Sequence, residues 1–367
     1  RGAAKVTVTD PFEGPDLLSR IVRLYGAAIV RAPTLWGIAY RVTDNQRWVT
    51  AIARALEGGV ARLLGQQRPD LVISVHPLCH GAAIRALKRL GLDIPVAVMV
   101  TDLLDIHASW QDCGAALYLA PTAEAGREMV AAGCPGEAVY SLGLPVADDF
   151  RMGDGSGEDM ARLRAELGLD SKRPVVLVSG GGEGSGPLEP AARIIVRTLP
   201  HSQVVVACGR NERLRRSLST KGLPVRVLGF VNNMARWMHA SDVVVAKAGA
   251  LTVAEAVAAR RPLLVMSALP GQEKGNLRFV LESGIGAYAP PGPALVRALR
   301  LLEEQDFRPA LWLENMSRVD RPGAQEEIAD LLLATAETAT NRPSRVPAMA
   351  SQGGGQGGFG AFGDVSR

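Results

Sequence analysis

Short apolar runs, most of them rich in valine, recur along this chain with an amphipathic stretch between each and the next, and this alternation constrains the fold more than any other feature. In the first half the runs are Leu71 to Val75, Pro95 to Thr101, Ala116 to Ala120 and Ala138 to Ser141, with helical patterns at Arg47 to Gln66, Gly81 to Leu90 and Ala123 to Ala132. In the second half strands are expected at Val175 to Ser179, Gln203 to Ala207, Val225 to Leu228, Asp242 to Ala246, Pro262 to Ser267 and Gly286 to Ala289. Helices are expected near Asp159 to Leu167, Leu188 to Thr198, Glu212 to Thr220, Met234 to Ala240, Thr252 to Ala259 and Gly275 to Glu282, with a last one near Ala324 to Ala336. Alternating strands and helices predict parallel sheets covered on both faces. With 367 residues, the chain is expected to form two doubly wound α/β domains facing a cleft. The expected limits are 1–150 and 151–337, with a hinge at Gly153 to Gly157 and a disordered Gly, Ser and Gln-rich tail over 338–367.

The formal net charge of +4 is unevenly placed, because residues 1–65 hold nine Lys or Arg against five Asp or Glu. That local excess suits an anionic partner of the first domain, and no nucleic-acid partner is expected. Between Leu17 and Trp48, Tyr25, Trp36, Tyr40 and Trp48 are interleaved with five arginines, which suits an anionic lipid surface. The same pattern fits a pair of amphipathic helices whose aromatics are core. No run of eighteen apolar residues is present. Cys79, Cys113, Cys134 and Cys208 are scattered without a CxxC pair, so no disulfide framework or zinc site is expected, and a reducing compartment fits. His76 and His80 have helical metal spacing, but Pro77 between them argues against a metal site.

The chemistry concentrates at the ends of second-half strands. After Val243-Val244-Val245 comes the turn Lys247-Ala248-Gly249, then Ala250 and a helix that opens at about Leu251 with Thr252 in its first turn. Free N–H groups there suit a diphosphate, and Glu255 on the same helix is placed to accept hydrogen bonds from a ribose diol. The next strand delivers the loop Pro270-Gly271-Gln272-Glu273, with Asn276 beyond it, whose polar groups suit sugar hydroxyls. A second turn, Gly180-Gly181-Gly182-Glu183-Gly184, follows the strand at 175–179 and lets backbone approach a ligand closely. It fits neither a Walker loop nor GxGxxG. Together the two turns read as a sugar-nucleotide site, with Phe230 and Val231 placed either to hold a flat base or to form an ordinary turn capped by Asn232 or Asn233.

The strings GFVNNMARWM, SDVVVAKAGALTVAEA and LPGQEKGN resemble the C-terminal half of glycosyltransferases with the GT-B fold. With SVHPL, PVAVMVTDL followed by His107 and Trp110, and GLPV in the first half, the chain is similar to the monogalactosyldiacylglycerol synthases and the bacterial diacylglycerol glucosyltransferases. A more distant likeness is to the lipid II-forming N-acetylglucosaminyltransferase. The resemblance implies an inverting transfer from UDP-glucose or UDP-galactose to diacylglycerol or another lipid, without a cofactor or metal, on the inner face of the cell membrane. It implies that Phe230 and Val231 meet uracil, Glu255 the ribose, residues 180–184 and 248–252 the diphosphate, and Glu273 and Asn276 the sugar. It further implies a strand and a histidine-bearing glycine loop ahead of Val6 to Asp10, which corresponds to the family's second strand. That leaves Asp102 as the candidate base, with His107 to orient the acceptor or Asp102. Three other readings stay open: transfer of N-acetylglucosamine to a polyprenyl-linked acceptor, a sugar-nucleotide epimerase of the same fold, and a UDP-sugar-binding protein without activity.

Overall fold

The structure, a computed structural model, describes residues 4–10, 33–151 and 157–340. Helices α1 (Pro33–Thr43) and α2 (Gln46–Gln67) lead into a first sheet made of β1 (Val72–Ser74), β2 (Val96–Met99), β3 (Leu117–Ala120) and β4 (Val139–Ser141). These four strands are parallel and lie in sequence order, with α3 (His80–Leu90) and α4 (Ala123–Ala131) in the crossovers. Leu56, Val60, Leu87, Val98, Tyr118 and Met129 meet within their core. The strand expected over Val6 to Asp10 does not form: Val6 and Val8 are exposed, and no described strand pairs with this segment.

The second half comprises α5 (Gly157–Glu166), β5 (Val175–Ser179), α6 (Leu188–Thr198), β6 (Gln203–Ala207), α7 (Glu212–Thr220), β7 (Val225–Leu228) and α8 (Met234–His239). It continues through β8 (Val243–Lys247), α9 (Ala250–Ala258), β9 (Leu263–Ser267), α10 (Lys274–Glu282) and β10 (Gly286–Tyr288). The six strands are parallel in the order β10-β9-β8-β5-β6-β7, so the connection reverses direction between β5 and β8. In such sheets ligands bind beyond the C-terminal strand ends at that reversal. All five residues of β5 are buried, as double-sided cover requires.

Two helices that the apolar pattern did not single out, α11 (Pro293–Glu303) and α12 (Ala310–Val319), complete this half. The last helix, α13 (Ala324–Thr340), follows the second sheet in sequence but packs on the first, where Ala324 and Ile328 meet Ala97, Leu117 and Leu119. It runs past the start expected for the tail, so 338–340 are helical and 341–367 lie outside the described residues. Of the expected hinge, only Gly157 is described, and it opens α5. Residues 17–32 of the aromatic and basic stretch also lie outside the described residues.

One expectation about the cysteines fails. Cys113 and Cys134 form a disulfide with Cα atoms 4.6 Å apart, although 21 residues separate them. Cys113 precedes β3 and Cys134 follows α4, so the strand-helix unit folds them together without any local spacing motif. Among the described residues no helix is long and apolar enough to cross a membrane.

Candidate donor and acceptor sites

The two glycine-bearing turns follow β5 and β8, the strands on either side of the sheet's reversal. The first turn is tightly wound: Gly184 N–H donates to Gly181 O at 3.0 Å and Ser185 N–H to Gly180 O at 3.0 Å. Gly184 has a φ of +59°, and a Cβ there would lie 1.8 Å from the Cys208 carbonyl oxygen, so no other residue fits without moving backbone. The turn after β6 supports it, with Arg210 N–H donating to Gly182 O at 2.8 Å and Asn211 Nδ2 to Gly184 O at 3.1 Å. The sequence reading missed this second support, although a Gly-Arg-Asn triplet directly after a strand was visible.

In the second turn the structure narrows the expected anion site. Ala248 N–H donates to Ser267 O and Gly249 N–H to Lys247 O, so neither is free to hold a phosphate. The first-turn N–H groups of Ala250, Leu251 and Thr252 are those that a helix start leaves available. Glu255 is partly buried one turn on and makes no side-chain hydrogen bond among the described residues; burial pushes its carboxyl up to about 7. Phe230 is half exposed, with the Arg210 guanidinium 4.4 Å from its ring centroid, while the Val231 side chain packs on the core. Arg210 was not among the expected site residues.

Lys247, at the end of β8, and Glu273, just before α10, form an ion pair. Glu273 is almost fully buried, and its second oxygen accepts a 2.9 Å bond from Leu269 N–H. Gln272 makes no side-chain hydrogen bond among the described residues. Pro270 and Gly271 lie against α1: a Cβ on Gly37 would meet Pro270 at 2.6 Å, and one on Gly271 would meet the Tyr40 ring at 2.6 Å. Asn276 was expected to touch a sugar, but its amide is buried and occupied at both ends. Its Oδ1 accepts from Leu103 N–H at 2.9 Å and its Nδ2 donates to Ala248 O at 3.0 Å, which ties the two halves together. Arg278 reinforces this seam through Asp105 and Glu124.

The first half contributes Asp102, at the C-terminal side of β2. Its Oδ2 accepts a 2.8 Å hydrogen bond from Trp110 Nε1, and Trp110 stacks on His80 at 6.1 Å between ring centroids. Burial pushes the Asp102 carboxyl up to about 6, against the Trp110 hydrogen bond that holds it down; the Glu273 charge raises it further. A buried carboxyl raised toward neutrality in this way is the kind of group that general-base chemistry uses. His107, in contrast, is committed to structure. Its Nδ1 meets Ser109 Oγ at 2.7 Å and its Nε2 meets Tyr40 O at 3.1 Å, so the ring fastens α1 to the turn at 107–110 and has no nitrogen left for an acceptor. The Tyr40 ring lies tilted against His107 at 4.4 Å between centroids, and Trp36 meets Tyr40 edge-on. These two aromatics therefore turn inward, and the outward face of α1 exposes Leu35, Ile38 and Val42 instead. Among the described residues no group of three or more His, Cys, Asp or Glu side chains could hold a metal.

Residues 2–146 match the monogalactosyldiacylglycerol (MGDG) synthase family, and residues 175–274 match the glycosyltransferase family 28 C-terminal domain. The chain is 34% identical over 277 residues to a probable monogalactosyldiacylglycerol synthase 2 of Oryza sativa subsp. japonica, a match covering 71% of this chain and 58% of that protein. It is 35% identical over 301 residues to the monogalactosyldiacylglycerol synthase of Spinacia oleracea, covering 77% of this chain and 57% of the relative. The chain thus spans a little over half the length of these relatives. Among solved structures, the S. aureus MnaA–UDP co-structure superposes with a TM-score of 0.55 at 16% identity, covering 80% of this chain and 81% of that one. Anabaena HepE in complex with UDP-glucose gives 0.53 at 17% identity, covering 76% and 82%. At such identities the likeness speaks for the fold alone. In sequence the chain resembles the monogalactosyldiacylglycerol synthases, and its two Rossmann-like halves take the GT-B fold.

Proposed function

We propose that this protein is an inverting glycosyltransferase that moves a hexose from a UDP-sugar to the hydroxyl of a membrane lipid, with diacylglycerol as the acceptor. The observation that carries this reading is the convergence, at the reversal point of the second sheet, of the Gly180 to Gly184 turn, the α9 start and Lys247, with Glu255 one turn further along α9. Diphosphate oxygens fit against the first-turn N–H groups of α9, and the ribose diol against Glu255. The base fits beside Phe230 and the Val231 backbone. Glu273 and Gln272 face the hexose, and Pro270 and Gly271 shape the loop that presents them. Asp102, across the cleft, takes the proton of the lipid hydroxyl as it attacks the anomeric carbon from the face opposite the leaving UDP. The charge developing on UDP falls on a helix start and an ammonium, which stabilise it electrostatically.

The lipid must reach this cleft from a bilayer, and the exposed stripe Leu35, Ile38 and Val42 on α1 supports docking on an anionic membrane surface beside the donor loop. On this reading the protein works as a peripheral protein on the cytoplasmic face. The test is transfer from radiolabelled UDP-galactose and UDP-glucose to diacylglycerol in mixed micelles, with UDP binding followed by calorimetry. A lipid-linked product supports the proposal and identifies the sugar. UDP binding with no lipid product, or with conversion of the sugar nucleotide itself, overturns it in favour of a binding protein or an epimerase.

A further inference from the structure

Lys247 is placed by an irregularity in the sheet. Strands β8 and β9 pair in regular register up to Ala246 opposite Val265, after which Lys247 pairs with Ser267 and Met266 is skipped. Such bulges re-aim a side chain. Here the lysine stem crosses the first glycine turn, with its Cε 3.4 Å from where a Gly181 Cβ would stand, and its ammonium lies 3.1 Å from the Cβ position of Gly249. Lys247 therefore spans both halves of the phosphate cradle, yet its ammonium is paired with Oε1 of Glu273. The other oxygen of Glu273 is held by Leu269 N–H, so both oxygens of a side chain facing the hexose are engaged within the protein.

We propose that Lys247 exchanges ionic partners when the donor binds, leaving Glu273 for the distal phosphate of a nucleoside diphosphate and so freeing a Glu273 oxygen for the sugar hydroxyls. The proposal rests on the donor-site reading above and adds to it a coupling: the protein reads the sugar only when a diphosphate is in place. The bond from Leu269 N–H to the other oxygen keeps the carboxylate in position after the lysine departs. A diphosphate carries more charge than the single carboxylate it displaces, and it also gains the N–H groups of the α9 start, so the ammonium is drawn toward it. The exchange also reaches the acceptor side. The Glu273 charge acts on Asp102, and removing its lysine counter-ion strengthens that effect, so the base becomes more basic when donor is bound.

The test is calorimetric titration of UMP, UDP and a UDP-hexose into the wild-type protein, Lys247→Met, Glu273→Gln and the double variant, with urea midpoints to show that each is folded. Lys247→Met is expected to weaken UDP by about tenfold to a hundredfold while leaving UMP within about threefold, as loss of one charge-assisted bond to the distal phosphate requires. Glu273→Gln is expected to tighten UDP several-fold, because the lysine no longer has a competitor, and to abolish the preference for UDP-hexose over UDP. In the Lys247→Met background the Glu273 change is expected to leave UDP affinity unmoved. If Glu273→Gln instead weakens UDP, the glutamate holds the lysine in its working position and the exchange is wrong, although the donor site stands. If UMP and UDP lose affinity equally in Lys247→Met, the lysine does not read the distal phosphate and the proposal likewise fails. If the wild-type protein binds none of the three, the donor-site reading itself is wrong and the exchange falls with it.

Discussion

Replacing Asn276 with leucine removes the amide that joins the two halves of the molecule while nearly conserving its volume. The Asn276 side chain is 2% exposed and makes two bonds, accepting from Leu103 N–H at 2.9 Å and donating to Ala248 O at 3.0 Å. Leucine satisfies neither, so an N–H on one side of the seam and a carbonyl on the other are left buried and unpaired. Each such group costs about 1–3 kcal/mol, so the substitution should destabilise the protein by about 2–6 kcal/mol, against a typical total of about 5–15 kcal/mol. Because Ala248 belongs to the turn proposed to cradle the diphosphate, its displacement should also weaken UDP binding. Urea unfolding followed by circular dichroism reads the first effect and calorimetry the second. A loss below about 1 kcal/mol, with UDP affinity unchanged, would show that water or a rearranged backbone satisfies both groups and that Asn276 is no tie. Gly275→Ala provides an independent check on the same seam, since its Cβ would fall 2.0 Å from the Leu104 carbonyl oxygen, and the halves would have to separate to admit it.

Glu255→Gln should become progressively more stable than the wild type as pH rises. Burial raises the native carboxyl from 4.5 to about 7, so its contribution is full at low pH and lost as pH climbs through that window; equal urea-midpoint differences at pH 5 and pH 8 would refute this. Trp110→Phe removes the hydrogen bond that holds the Asp102 carboxyl down, so the acidic limb of the transfer rate should move from near 6 to higher pH. A limb that stays in place would exclude Asp102 as the titrating base. Ile38→Asp alters an exposed side chain, so it should leave the urea midpoint unchanged and reduce flotation with anionic vesicles; undiminished flotation would take the α1 face out of the docking surface.

Elements whose signal is local were legible in the sequence. Strands at 175–179, 203–207 and 225–228 form over the expected residues; for the first two an apolar run flanked by turn residues is itself the cause of a buried strand, and the third is the alternating strand of a sheet edge. A helix start near Leu251, observed at Ala250, and the glycines at 180–184 were visible for the same reason, since free N–H groups and missing side chains are properties of a few consecutive residues. Helices α11 and α12 passed unnoticed because the strand-helix alternation that guided the reading ends at β10. The order of the strands, which puts the turns after β5 and β8 beside each other, was decided by packing between segments about 70 residues apart. The same holds for side chains whose role depends on distant partners. Asn276 looked like a sugar ligand until Leu103 and Ala248 took both ends of its amide, and His107 looked catalytic until Tyr40 and Ser109 took both ring nitrogens. Cys113 and Cys134 had no spacing motif because a whole strand-helix unit, rather than a short loop, closes their ring. A sequence states which groups a residue carries, but only the tertiary fold determines which of those groups are already bonded within the protein and which are left for a ligand.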